Sequence, residues 1–267
     1  MPAKGSLYAS FLPSGIPQLR RFIFGLSLAA CKKESPVQSP TNASSQQDAV
    51  TSGSNACLEF DPSDFVKGID NRYMPLVPGT SLHYVNKSVD DGELIISHDD
   101  VTVTSVIKLI LGVSCTVVHD QVTIKGKVME DTYDWFAQDK HGNVWYCGEA
   151  TKERTDTGWS TEGSWEAGVD GGCAGIIMWA HPPAHMGEIY YQEFEHGTAE
   201  DQAKVIDINS TVTVAYGTFK HCVHTQEFSR LEPGVIDNKY YARGIGEIKQ
   251  VTRKGAQEFQ QLVSITH

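Results

Sequence analysis

From Thr80 onward the chain runs in short stretches rich in Val, Ile, Thr, Tyr and Trp, apolar and polar positions tending to alternate, the period of two expected of a half-buried strand. The stretches are separated by Asp-Asp-Gly at 90–92, Lys-Gly at 125–126, Asp-Lys-His-Gly-Asn at 139–143, Thr-Asp-Thr-Gly at 155–158 and Arg-Gly-Ile-Gly at 243–246. These residues suit tight hairpin turns, where positive φ is needed. No run of a dozen residues carries a 3.6-residue period, although Thr198–Val205 is compatible with two helical turns and Asp61–Gly68 with another. The pattern predicts an all-β, antiparallel meander.

Sliding the chain against itself by 105 residues lays 112–137 over 217–242 without a gap. Gly112 then meets Gly217, Val118 meets Val223, His119 meets His224, Gln121 meets Gln226 and Ala137 meets Ala242. An unbroken register through strand, turn and strand predicts two pseudo-repeats, about 76–166 and 183–267. Neither meander could bury both faces alone, so the two are expected to form one curled sheet or barrel within a single β-rich domain, 57–267.

The first thirty residues differ in kind. Lys4, Arg20 and Arg21 are their charges, with no acid, and Phe22–Ala30 is a short apolar run closed by Leu28-Ala29-Ala30-Cys31. A spanning helix needs about 20 apolar residues, so this run is too short to remain in a bilayer and reads as a signal peptide, 1–30. Leu-Ala-Ala-Cys resembles the bacterial lipobox, which implies lipidation (palmitate) of Cys31 and anchoring of the mature chain in a membrane. Residues 31–56 are rich in Ser, Gln and Pro and poor in large apolar groups, so they are expected to form a disordered tether. Lys32 follows the anchor where, by the same resemblance, an aspartate would favour the inner membrane. The implied address is the cell envelope, at the outer membrane facing the periplasm or the cell surface.

Charge narrows the partners. The whole chain carries 22 basic and 33 acidic residues, a net of −11, and loss of the leader removes three more positive charges. Such a surface repels phosphate backbones, which excludes nucleic acid as a partner. Five cysteines follow the anchor, Cys57, Cys115, Cys147, Cys173 and Cys222, in a compartment that permits disulfides. The number is odd and no Cys-x-x-Cys occurs, so zinc-ribbon and thioredoxin-like chemistry lose their main support.

Pro75-Leu-Val-Pro-Gly-Thr80 and Tyr240-Tyr-Ala-x-Gly-x-Gly246, taken with the lipobox, resemble uncharacterised bacterial lipoproteins built on curled antiparallel sheets. That resemblance implies a concave sheet holding an apolar ligand or a partner's strand, and no reaction.

All five tryptophans, Trp135, Trp145, Trp159, Trp165 and Trp179, fall in one stretch. Most are expected in the sheet core. Trp159 and Trp165, in a polar Gly- and Ser-rich segment, are the candidates for stacking on a ligand, with Glu162 and Glu166 beside them. Paired carboxylates can cleave glycosides, and Glu130, Asp131 and Asp134 form a second acidic group; both groups read first as solvated charge. His181-Pro-Pro-Ala-His185 cannot present two ligands on one helix face, and no hydrolase, zinc-protease or nucleotide motif occurs, so no catalytic residue, metal or cofactor is expected. The leading expectation is a non-enzymatic tethered domain that binds a small apolar or sugar-like ligand or a partner envelope protein. A carbohydrate-active enzyme and a purely structural lipoprotein are the alternatives.

Overall fold

The computed structural model describes residues 57–90, 92–254 and 258–267. The leader, Cys31 and the tether lie outside the described residues. Sixteen strands follow in order: β1 (Phe65–Val66), β2 (Ser81–Asp90), β3 (Glu93–Ile110), β4 (Val113–Ile124), β5 (Lys127–Asp139), β6 (Val144–Thr155), β7 (Gly158–Ser160), β8 (Trp165–Glu166), β9 (Cys173–Met178), β10 (Ile189–Tyr191), β11 (Glu193–Phe194), β12 (Asp201–Val214), β13 (Gly217–Ser229), β14 (Ile236–Ala242), β15 (Gly246–Lys254) and β16 (Glu258–Thr266). They form one antiparallel sheet, thirteen of them in the order β10-β12-β13-β14-β15-β16-β2-β3-β4-β5-β6-β9-β11 with β1 added on β5 and β7 and β8 on β6, the all-β meander that the alternation predicts. The last strand pairs with β2, from Thr266 opposite Ser81 to Glu258 opposite Ser88, and so joins the second meander to the first.

The sheet curls into a nearly closed barrel with one seam. Ile189–Tyr191 pairs with β12 and, one residue later, Glu193–Phe194 pairs with β9, so a single segment bridges the two edges. The Gln192 N–H donates to the Asp201 carbonyl at 2.8 Å within that crossing. Gly175 makes the approach possible, because a Cβ there would stand 2.5 Å from the Tyr191 carbonyl oxygen. Closure by a crossing segment leaves little edge backbone exposed.

The turns explain the register. Lys125 and Gly126 have φ of 51° and 75°, the two positive values of a two-residue hairpin, as the Lys-Gly pair predicts. Leu111 and Gly112, with φ of 48° and 85°, make the same turn between β3 and β4, which the sequence pattern did not mark because leucine seldom adopts that conformation. Of the two helical expectations, Asp61 caps a single 3-10 turn at Pro62–Asp64. Thr198–Val205 is not helical: from Asp201 it is strand, with Asp201, Ala203 and Val205 turned inward between partners on β10 and β13. Pairing overrides the helix-forming Ala, Gln and Lys of that segment.

Shifting β3 and β4 by 105 residues places them on β12 and β13 within a few residues at each end. Phe136 and Tyr241, superposed by that shift, are both fully buried. The hairpins differ in pairing, since Val118 faces Asp134 but Val223 faces Tyr241. That two-residue difference preserves which face each side chain takes.

The interior has two tiers. Toward the end that carries the β3–β4 turn, Leu82, Val103, Val118, Phe136, Tyr146, Val223 and Leu262 make an apolar core. Toward the other end the inward positions are polar. Thr225, Lys239, Gln250, Gln260, Asn86 and Ser97 oppose one another in a continuous row across β13, β14, β15, β16, β2 and β3, and all are buried. Asp99, Asp120, Glu130 and Glu227 share this tier, and the buried Asp134 and Glu149 lie at its boundary with the apolar core, Asp134 opposite Val118. Lys239 is its fully buried cation, 3.0 Å from Glu227 and 3.9 Å from Glu247. Burial pushes the Glu247 carboxyl up to about 8 even though Lys239 pulls the other way. Burial likewise raises Asp99 to about 6 and Asp120 well above the usual range, with the neighbouring Asp99 charge adding to burial at Asp120. A proton shared between them is the arrangement that two like charges in contact require. The cavity bounded by Asp201, Glu227, Ser229, Glu232 and Asp237 has a volume of about 10 Å³, room for about one water.

One disulfide joins Cys57 to Cys173, tying the start of the domain to β9 across a sequence separation of 116. Cys115, Cys147 and Cys222 are free and buried.

Candidate functional site

The candidate site lies outside the barrel, over β4, β5 and β6. Gln121 pairs with Asp131, and Asp131 with Lys152, so three polar side chains stand in one outward row across three strands. After β6 the chain turns at Thr155–Gly158 and folds back as β7, with Trp159 opposite Arg154. These elements enclose a groove of about 490 Å³ lined by Gln121, Val128, Asp131, Lys152, Trp159 and Thr161.

Each side chain is held in place. The Arg154 guanidinium lies 4.5 Å from the Trp159 ring centroid and its Nε donates to the Val128 carbonyl at 3.1 Å. Trp159 stays 46% exposed in this clamp, enough to meet a ligand. Asp131 Oδ1 is bonded to His119 Nε2 at 2.7 Å and accepts from Gln121 Nε2 at 3.3 Å. Partial burial alone would raise the Asp131 pKa; the hydrogen bonds from His119 and Gln121 and the charges of His119 and Lys152 outweigh it and hold the carboxyl below its ordinary value. Asp131 is therefore an anionic acceptor at neutral pH. Two residues along β5 on the same face, Tyr133 is 41% exposed and stacks on His119 with ring centroids 4.5 Å apart. The surface thus alternates aromatic faces with a row of donors and acceptors.

The four residues singled out from sequence separate here. Trp159 lines the groove. Glu162 follows the lining residue Thr161 on the exposed turn, its backbone N–H bonded to Ser160 Oγ. Trp165 does not face the groove: it is 4% exposed and packs edge-on against Tyr146 at 5.5 Å. Glu166 pairs with Lys108 at 2.7 Å, at the other end of the β6 flank. A polar sequence neighbourhood did not signal Trp165's burial, which comes from its pairing opposite the buried Glu149 on β6 and its packing on Tyr146. Of the other tryptophans, Trp135 and Trp145 are buried as expected, and Trp179 stacks on His185 at 3.7 Å.

Sequence reasoning passed over Gln121, Lys152 and Arg154, which carry no motif. The acidic group around 130 held the one available signal: Glu130 and Asp134 take the inner face while Asp131 takes the outer, as alternation along β5 requires. Among the described residues no group of three or more His, Cys, Asp or Glu side chains is placed to hold a metal ion. Among the same residues, no helix is long and apolar enough to cross a membrane.

No protein-family model matches the chain, and no curated protein matches it. Two solved structures are similar in part. One is a Bacteroides fragilis protein described as exported and as having a YmcC-like fold, at 13% identity, TM-score 0.41, covering 74% of this chain and all of that one. The other is a Parabacteroides distasonis protein described as a lipoprotein, at 12% identity, TM-score 0.34, covering 73% of this chain and 99% of that one.

Proposed function

We propose that this protein is an envelope lipoprotein, anchored through Cys31, that binds a sugar-like ligand without chemically changing it. The observation that carries the reading is the exposed Trp159 ring at a groove whose floor is the row Gln121, Asp131 and Lys152. A sugar presents an apolar face for stacking and hydroxyls that need both donors and acceptors, and this surface offers that combination. Asp131 accepts, Lys152 donates, and the amide of Gln121 does both. The inner face of the sheet supports an apolar ligand less well, because its open-looking tier is filled by buried polar side chains. Glycoside cleavage is supported less still, since Glu166 is committed to Lys108 and the Asp99–Asp120 pair is sealed from solvent.

The leader, tether and lipobox support a cell-envelope address, with the outer membrane favoured by Lys32. The Cys57–Cys173 disulfide suits the oxidising side of a membrane. The 105-residue correspondence supports an origin of the two meanders by duplication. The test is a glycan array probed with the full chain and with Trp159→Ala. Binding abolished by that substitution supports the reading, and an array with no Trp159-dependent signal rejects it.

A further inference from the structure

At the end of the barrel opposite the hairpins that flank the groove, the β3–β4 hairpin departs from the alternation of the rest of the sheet. A bulge between Val103 and Ile107 interrupts the ladder, and beyond it the strand leaves aliphatic side chains exposed at the end of the barrel. Val106, Ile107, Leu109 and Leu111 are 58%, 56%, 69% and 53% exposed. Lys108 is the charged residue within this run, and it is paired with Glu166 and laid over the Trp135 ring at 3.2 Å, away from the aliphatic surface. Clustered exposed aliphatics on an otherwise acidic domain mark a surface that something covers.

Where the chain enters the domain says what covers it. Leu111 presses on the 166–172 turn so closely that a Cβ at Gly168 would meet its Cδ2 at 2.5 Å, and Val169 on that turn is itself exposed. Pro62 packs on the other side of the hairpin, 3.3 Å from where a Gly112 Cβ would be. Cys57 is bonded to Cys173 just beyond the same turn, and the next residue, Leu58, is 45% exposed. The hairpin tip and the start of the described chain therefore share one end of the barrel. Cys31 precedes Cys57 by 26 residues, and a tether of the kind expected there would reach roughly 25–30 Å. A lipid at Cys31 would hold this end of the domain, and not the groove end, near the bilayer.

We propose that the β3–β4 hairpin is a membrane-docking element, with Val106, Ile107, Leu109 and Leu111 seated at the headgroup–acyl boundary of the leaflet that carries the anchor. The inference rests on the reading of Cys31 as the lipid attachment site. An uncharged aliphatic tip on an acidic protein fits a zwitterionic surface better than an anionic one. Docking fixes the orientation of the barrel, with the groove turned toward the aqueous side.

The test uses the full acylated chain, reconstituted in phosphatidylcholine vesicles with and without bromine on the acyl chains. Mass spectrometry of the N-terminal peptide first establishes acylation at Cys31, and its absence overturns the anchor and the docking together. A tryptophan is then placed at Leu109 (Leu109→Trp) or, as a control, at Leu94 (Leu94→Trp), which is 61% exposed at the opposite end of β3. Neither position is in the core, so both variants are expected to fold. The emission gained with Leu109→Trp should be quenched about two-fold by brominated lipid and that gained with Leu94→Trp hardly at all. Equal quenching at the two positions, on a chain shown to be acylated, overturns the docking and leaves the anchor standing. A Leu109→Trp signal that ignores bromine but shifts with protein concentration assigns the hairpin to protein contacts and likewise overturns it.

Discussion

The Asp99–Asp120 pair makes stability depend on pH in a direction opposite to that of most acid-sensitive proteins. Asp99 reaches across from β3 toward Asp120 on β4, accepts from Gln260 Nε2 of β16 at 3.1 Å, and lies near Tyr84 of β2 and Glu247 of β15. Asp120 also feels Asp134 and Glu130 of β5. Burial raises Asp99 from the ordinary 3.8 to about 6. The folded protein thus keeps this proton between about pH 4 and 6 where the unfolded chain releases it, so folding is favoured by acid and loses stability as pH rises through 6. At about 1.4 kcal/mol for each pH unit, the loss above pH 7 amounts to about 3 kcal/mol from Asp99. Asp99→Asn removes the ionisation and lets the amide donate to Asp120 while its oxygen still accepts from Gln260. Urea unfolding followed by tryptophan fluorescence should show the variant's stability relative to the parent rising by about 2 kcal/mol between pH 4.5 and pH 8, since about a third of the effect is already present at pH 4.5. A variant whose stability parallels the parent across this range would refute a proton shared at this site.

Four further outcomes follow from the same structure. Lys239→Met leaves Glu227 and Glu247 without their buried cation and should cost about 3–5 kcal/mol in urea unfolding, with Glu227→Gln added to it recovering part of the loss. Gly175→Val drives a side chain into the Tyr191 and Gln192 backbone at the seam, and should lower stability by about 2–3 kcal/mol and speed hydrogen exchange at β9 and β11 first. Cys57→Ser opens the disulfide across 116 residues and should cost about 4–5 kcal/mol, read as a lower urea midpoint that reductant does not lower further. Trp159→Ala, at an exposed position, should change stability by no more than about 1 kcal/mol, so that a loss of glycan binding can be read as loss of contact and not of fold.

The alternation from Thr80 onward and the Lys125-Gly126 turn were enough to determine an antiparallel all-β domain, because the two-residue period of a strand and the positive φ of a tight hairpin are local properties. Tertiary structure decided the rest. Thr198–Val205 has helix-forming residues and became strand from Asp201 because partners on both sides claimed its backbone. Trp159 and Trp165 lie in the same polar segment, yet one overhangs a groove and the other is sealed against Tyr146, since burial depends on what folds over a residue and not on its neighbours in sequence. Asp131 became a site residue and Asp134 a buried one by their opposite directions along β5, a distinction that alternation offers only once the strand's register against β4 and β6 is known. Barrel closure through residues 189–194, the polar inner row and the meeting of the β3–β4 tip with Cys57 join residues far apart in the chain, and such proximities exist only when the sheet has curled.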